Sequence, residues 1–561
     1  MKTLLKNGKV VNVFTGEIEA AQVLIEDGQI AGVGGYTDAD ADVVEDVGGQ
    51  YICPGFIDGH IHIESTMLLP AEFCNTCVPH GTTAVVADPH EIANVCGAAG
   101  ISYMLEASEG LPLTVYIMLP SCVPASPFDE AGAVLDSRAL EPFFGHPRVL
   151  GLGEVMNYPG VIAGDKDVLA KLQKARDYGA VINGHAPLLS GKELDKYIRA
   201  GIRDEHECTS LEEAKERIRK GQWVMIRQGT SAQNLMSLIG LFAPPFAHRC
   251  LLVTDDKHPA DLMDNGHIDN SIRLAVSCGE SAVTGIQMAT IQAAQCFGLK
   301  NKGAVAPGYD ADILVLSDLD AVRVAEVYQA GKKVAAGGRM LQPAEAAKTR
   351  YDNLVRKSFH MDALSPADFY ISPKGSRCRV IQVVPKELLT KELVCELNFE
   401  NNNGVDTKKD ILKLAVAERH HSTGHIGLGY ITGIGLKTGA IAASVSHDSH
   451  NLIIIGTNDA DMAVAGNRVR ELGGGSVVVD GGVVAEEMPL PIAGLMSDKR
   501  AAEVAQQNAK IRAAVYRMGA PKEIEPFMNM AFISLPVIPS LKLTTKGLVD
   551  VIRQKLVDLF L

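Results

Sequence analysis

Apolar residues recur along this chain in short runs that end on polar residues, glycine or proline, and the spacing of those runs separates it into distinct textures. Residues 1–52 alternate β-type runs at 10–14, 21–26 and 29–33 with Gly and Asp turns, which predicts a small β-unit without a complete core of its own. The same texture returns over 303–345, so the two segments are expected to complete one split β-sandwich around the chain between them. Residues 53–302 carry eight apolar runs, at 56–62, 83–88, 114–119, 149–154, 180–185, 202–206, 223–227 and 251–255, with helical patterns such as 167–178 and 210–220 between them. Strand and helix alternating in this way predict an α/β fold, a (β/α)8 TIM barrel, in which the run at 202–206 has the weakest pattern. After a charged linker at 346–369, residues 370–561 predict a separate C-terminal α+β domain, with strands at 378–384, 453–456 and 476–480 and helices at 459–472 and 498–518.

Length and composition agree with several domains. A chain of 561 residues exceeds what one core serves, and 47% hydrophobic with 21% charged residues describes a soluble globular protein. The formal charge of −14 argues against phosphate backbones and anionic membrane surfaces, so neither nucleic acid nor membrane is an expected partner. No apolar stretch is long enough to span a bilayer, and the start of the chain lacks the pattern of a secretory signal, which leads to the expectation of a cytoplasmic protein. Eleven scattered cysteines read as reduced thiols, mostly small core residues, rather than a disulfide framework.

Chemistry enters at the strand ends. In a barrel of this kind polar residues at the C-terminal ends of different strands face one another, however far apart in sequence. The first run ends in His60-Ile61-His62, whose alternate positions share a face; the fourth ends in Glu154, the fifth in His185, the sixth in His206 and the eighth in Asp255. An isolated His-x-His is more often a polar strand end, and each of the others has a structural use as an ion-pair, hydrogen-bonding or helix-capping residue. Jointly, four imidazoles and two carboxylates on five strand ends suit a binuclear divalent centre, and such mixed ligands admit manganese, iron or zinc. Asp88 and His90 end the second run, in a segment that an Asp-Pro turn would also explain.

Two competing motifs are weak. His62-Ile63-Glu64 with Cys74-Asn75-Thr76-Cys77 matches a His-x-Glu…Cys-x-x-Cys zinc signature only formally, because Phe73 stands where that motif needs proline, and the cysteines read as helix residues. Gly473-Gly474-Gly475 lacks the Gly-Lys-Ser/Thr of a phosphate loop and reads as a helix-to-strand turn.

The segments Gly59 to Thr66, Ala87-Asp88-Pro89-His90-Glu91-Ile92, Gly153-Glu154-Val155-Met156-Asn157, Asn183-Gly184-His185-Ala186-Pro187, Asp204-Glu205-His206-Glu207 and Ser446-His447-Asp448-Ser449-His450-Asn451 together resemble the amidohydrolase superfamily, and within it the bacterial adenine deaminases. The resemblance implies His60, His62, Glu154, His185, His206 and Asp255 as metal ligands, manganese as the metal with iron next, and a homo-oligomer, a dimer. It implies hydrolytic deamination of adenine to hypoxanthine and ammonia by a metal-activated hydroxide, in purine salvage or adenine catabolism. Asp255 would take and return the proton, and Glu154 would bridge the metals or help protonate the ring. It also adds Asp88, His90 and Glu91 to the active-site candidates, and His447 and Asp448 if the loop at 446–451 covers the barrel mouth. Related cyclic-amide hydrolases place a carboxylated lysine where Glu154 stands, which favours a deaminase over that alternative; an amidohydrolase for another aminated heterocycle and a noncatalytic metal- or ligand-binding barrel are the remaining readings.

Overall fold

The computed structural model describes residues 1–230, 232–385, 387–400 and 402–561. They form two units: Met1–Asp88 with Met104–Ser121 and Leu140–Ala347, and Pro89–Tyr103 with Cys122–Ala139 and Lys348–Leu561.

In the first unit, the N-terminal strands and those of 313–340 lie in one nine-stranded sheet, joined where Tyr51–Pro54 runs antiparallel to Ile313–Asp318. Leu5, Val23, Ile25, Ile52, Ile313 and Val315 fill its core. The first strand is Lys2–Val11, displaced from the expected 10–14. Asn7 adopts a left-handed backbone (φ 58°) and the register shifts between Leu5 and Gly8, which breaks the two-residue alternation by which a strand is recognised.

The same unit holds parallel strands corresponding to each of the eight apolar runs: β1 (Phe56–Ile61), β2 (Thr82–Ala87), β3 (Thr114–Leu119), β4 (Val149–Val155), β5 (Val181–Gly184), β6 (Asp204–Glu205), β7 (Trp223–Arg227) and β8 (Cys250–Val253). The first five pair in chain order in one curled sheet and the last three in another. A parallel bridge between Ile61 and Asp255 links the ends of β1 and β8, and the Arg203 N–H donates to the Ile182 carbonyl between β5 and β6, 3.0 Å. Continuous runs such as Thr82–Ala87 are buried at every position, as parallel strands covered on both faces must be. The intervening helices carry their own start signals: Asp165 accepts from the N–H groups of Asp167 and Val168, and Ser210 from that of Glu213. Cys74 and Cys77 are buried on the helix Pro70–Cys77, as core residues.

β6 has only two residues, and a side chain does the work of the missing ladder. Glu205, fully buried, accepts the N–H groups of Ala186 (3.0 Å), His206 (3.1 Å) and Glu207 (2.9 Å) and faces Arg217 at 3.4 Å. The weak apolar pattern of the sixth run follows, since a charged residue occupies its centre.

The second unit contains an eight-stranded sheet running from the edge strand Thr390–Glu396 through Arg377–Val383, Ile426–Thr432, Leu412–Ala417, Leu452–Gly456, Ala440–Ala443 and Gly475–Asp480 to Val483–Pro489. The helix Asp459–Leu472 packs Met462, Ala465 and Val469 against Ile454, Ala442 and Val477. Gly473, Gly474 and Gly475 turn from that helix into the next strand with φ of 73°, 123° and 132°, values that only glycine adopts readily in succession. Lys542 is fully buried, with its Nζ donating to the Phe532 carbonyl at 2.9 Å and the Leu388 carbonyl at 3.2 Å, and burial pushes its pKa down to about 7.

Two predictions follow from these buried charges. Arg217→Met leaves Glu205 buried without its cation, and chemical denaturation should register a loss of about 3–5 kcal/mol; a loss below about 1 kcal/mol would contradict a structural role for the pair. For Lys542, the unfolded chain binds the proton up to the ordinary pKa of 10.5 while the folded chain releases it near 7, so the group's contribution to stability rises with pH across that window. The stability gained in Lys542→Met over the parent should therefore be largest at and below pH 7, by a few kcal/mol, and shrink toward pH 10. A difference that stays flat with pH would contradict the buried, proton-shedding lysine.

Candidate metal centre

The first unit brings together the six residues expected at the strand ends. His60 and His62 leave β1 on one face, and the Nε2 of His62 lies 3.1 Å from Asp255 Oδ1 and 3.3 Å from Glu154 Oε1. His60 Nε2 lies 3.7 Å from the same Asp255 oxygen. On the other side of Glu154, Oε2 is 2.6 Å from His185 Nδ1 and 3.3 Å from His206 Nε2. The two oxygens of one carboxylate thus face different imidazoles, and the rings of His60 and His206 stack at 4.3 Å between the groups.

Local chemistry explains each placement. The Nδ1–H of His62 donates to the Asp88 carbonyl (2.9 Å), which turns Nε2 toward the carboxylates. The Asp88 carboxylate accepts the Glu154 N–H at 3.0 Å, an approach possible only beside a glycine, because a Cβ on Gly153 would stand 2.0 Å from Asp88 Oδ2. The Tyr197 hydroxyl accepts the His185 N–H and donates to the Val155 carbonyl, both at 2.9 Å, tying β5 to β4. Asp255 adopts φ 60°, a left-handed conformation that aspartate tolerates better than most residues, held by its N–H to the His60 carbonyl at 2.9 Å.

The electrostatics are those of carboxylates kept charged in the interior. Burial alone would raise the pKa of Glu154, but His185, His206 and His62 outweigh it and hold the group well below the usual carboxylate range. Asp255 is likewise held low against burial, first by Arg227 and then by His62. Burial, with His206 and His62 beside it, pushes the pKa of His60 well below its ordinary value and keeps that ring neutral. For His206, Glu154 overcomes burial and lifts the pKa to about 9.

Sequence reasoning overlooked two residues here. Glu207 stands 3.5 Å from His206 Nε2 and 3.8 Å from His185 Nδ1. Arg227, at the end of β7, donates to both Glu207 oxygens and to Asp255 Oδ2, the last at 2.5 Å. Glu207 was visible only as the residue after the strand end His206, and Arg227 only as a charge closing an apolar strand, outside the His-and-carboxylate pattern.

The donor set fits a divalent metal. The neutral His60 has an Nε2 that is buried without a hydrogen-bond partner among the described residues, as a metal ligand's nitrogen would be. His60, His62 and Asp255 form one group of ligand atoms within 4.8 Å of one another, His60, Glu154 and His206 another, and His185, His206 and Glu207 a third.

In the second unit, Glu91 lies on the helix His90–Cys96 with His447 Nδ1 2.8 Å from Oε1 and His450 Nε2 against Oε2. His90 Nε2 is 3.4 Å from Glu91 and 3.9 Å from Asp448 Oδ1. The spacing of Glu91, His447 and His450 is also one that a cation could use. However, the Ser446 N–H donates to His450 Nδ1 at 3.2 Å, which places the ring proton on Nε2 and makes this contact a hydrogen bond to Glu91. Phe532 stacks on His447 at 4.3 Å, and the buried Arg419 donates from Nε to the His450 carbonyl at 2.5 Å. The histidines of the loop at 446–451 are therefore buried, hydrogen-bonded residues.

Comparison with known proteins identifies the family. Residues 51–334 match the amidohydrolase family, and residues 387–555 match the adenine deaminase C-terminal domain. The chain is 49% identical to adenine deaminase 2 of Carboxydothermus hydrogenoformans over 98% of its own length and 95% of that protein. It is 45% identical to an adenine deaminase of Nitratidesulfovibrio vulgaris (98% and 94%) and 44% identical to that of Geobacillus kaustophilus (98% and 95%). With both family domains and relatives this similar end to end, the chain belongs to the amidohydrolase family and, within it, to the adenine deaminases.

Proposed function

We propose that this chain catalyses the reaction for which its relatives are named, the hydrolytic deamination of adenine to hypoxanthine and ammonia. The observation that carries it is near-complete alignment at 41–49% identity with proteins named for that activity, combined with a carboxylate, Glu154, between two groups of imidazoles. The parallel strands and their linking bonds support a (β/α)8 barrel over residues 53–302, set within a β-domain formed by 1–52 and 303–345 and followed, after a linker, by an α+β domain at 370–561.

The reaction forms a C–O bond at purine C6 and breaks the C6–N bond. Water contributes its oxygen to the ring and its protons to the ring nitrogen and the departing amine, so ammonia leaves and no redox change occurs. Divalent metals, when bound, supply the Lewis acidity that makes water a nucleophile at neutral pH. His60, His62 and Asp255 would hold one ion, His185 and His206 with Glu207 beside them the other, and Glu154 stands between. Imidazole with carboxylate suits manganese, with iron and zinc also compatible.

Asp255 is placed to move the proton. Its Oδ2 is engaged by Arg227 and its Oδ1 faces His60 and His62; the carboxylate would take the water's proton and return it to the leaving nitrogen. Arg227 thereby fixes the rotamer of the base, and by pairing with Glu207 as well it links the ends of β7 and β8 to the residue after His206.

The reading is tested by incubating the manganese-reconstituted chain with adenine, adenosine and cytosine and following hypoxanthine, inosine, uracil and ammonia. Hypoxanthine and ammonia from adenine alone are expected; release from another substrate without release from adenine would reassign the chain to a different amidohydrolase. Asp255→Asn should lower turnover roughly 10²- to 10⁴-fold even at manganese concentrations high enough to fill the site. Retained turnover in that variant would remove Asp255 from the proton path.

A further inference from the structure

Beneath the ligands lies a second buried layer that the proposed reaction does not use. Asp58 shares the interior-facing alternation of β1 with His60 and His62, one step earlier, and is fully buried. Its Oδ1 accepts the N–H of His60 at 3.2 Å and the N–H of Thr254 at 3.1 Å. Its Oδ2 accepts the Thr254 hydroxyl at 2.5 Å and faces His267 Nε2 at 3.1 Å. His267, also fully buried, precedes the helix Ile268–Ser277, and its Nδ1 is 2.7 Å from the Thr82 hydroxyl of β2.

These contacts converge on one place in the fold. The direct backbone link between the ends of β1 and β8 consists of the Asp255 N–H to the His60 carbonyl at 2.9 Å and a longer bond from the His62 N–H to the Asp255 carbonyl at 3.4 Å. One carboxylate spans the same seam from below, gripping His60 on one strand and Thr254, the neighbour of Asp255, on the other. The Thr254 hydroxyl and the His267 imidazole on its second oxygen limit the carboxylate's rotation. The seam is also where ligands from β1 and β8 must meet one ion, since His60, His62 and Asp255 form a single ligand group. A small slip along it would separate His60 from Asp255 without unfolding either strand.

We propose that Asp58, backed by His267 and Thr82, is a positioning group that sets the register between β1 and β8 and thereby the metal affinity of the His60–His62–Asp255 group. This rests on the reading of those residues as metal ligands. The carboxylate acts through the backbone amides of His60 and Thr254 that it holds.

The test is manganese binding to the chelator-stripped full chain, read as free Mn2+ by electron paramagnetic resonance, alongside thermal unfolding. Asp58→Asn, which keeps the shape but replaces an acceptor oxygen by a donor facing His267, should weaken manganese binding roughly 10- to 100-fold. Adenine turnover in that variant should return as manganese is raised. Thr82→Val, which removes only the hydroxyl behind His267, should weaken binding in the same direction by a few-fold and keeps the test available if Asp58→Asn fails to fold. Lowered unfolding temperature with unchanged manganese affinity in a folded variant would overturn the proposal and leave Asp58 a purely structural group. Failure of the parent chain to bind manganese would instead defeat the metal-centre reading, so the two outcomes are distinguishable.

Discussion

The structure of the first unit depends on one electrostatic problem: the carboxylates of Glu154 and Asp255 are buried and ionised. Charge in such surroundings persists only when opposite charge or strong donors face it. Here His62, His185 and His206 surround Glu154, and Arg227 with His62 faces Asp255. Divalent cations would take over the neutralising role of those imidazole protons and free the rings to act as neutral ligands.

Each of these side chains is in turn held by its neighbours. The Asp88 carbonyl fixes the tautomer of His62, Tyr197 ties down the backbone of His185, and Glu205 with Arg217 holds the backbone of His206 where β6 is too short to do so. Arg227 occupies the second oxygen of Asp255, and Gly153 provides the space in which Asp88 reaches Glu154. Rigid strands bring the groups to one place, and these side-chain and backbone contacts set orientation, which matters because a metal centre tolerates only small errors in ligand position.

Much of this was legible in the sequence because parallel strands project their ends to one side. Apolar runs that end in His60, His62, Glu154, His185, His206 and Asp255 are a pattern that survives uncertainty about each strand's exact bounds. Glu207 and Arg227 were not legible as members of the group, since a glutamate after a strand and an arginine closing one are ordinary surface signals until the fold buries them. His267 was invisible for another reason: it lies on no strand, and only tertiary packing brings it to Asp58. The first strand was misplaced because the left-handed Asn7 interrupts its alternation. In the second unit the histidines of 446–451 stood out by composition, but their burial around Glu91, and the tautomer that Ser446 imposes on His450, could be read only from coordinates.

The most direct test of the account is a manganese titration of the metal-free full chain in which bound metal and ammonia release from adenine are followed on the same sample. The account predicts negligible release without metal, activity that rises in step with bound manganese, and loss of both in Glu154→Gln, whose amide can no longer serve the two imidazole groups as a charged bridge. Full adenine deamination by the metal-free chain, or undiminished metal binding and activity in Glu154→Gln, would contradict it.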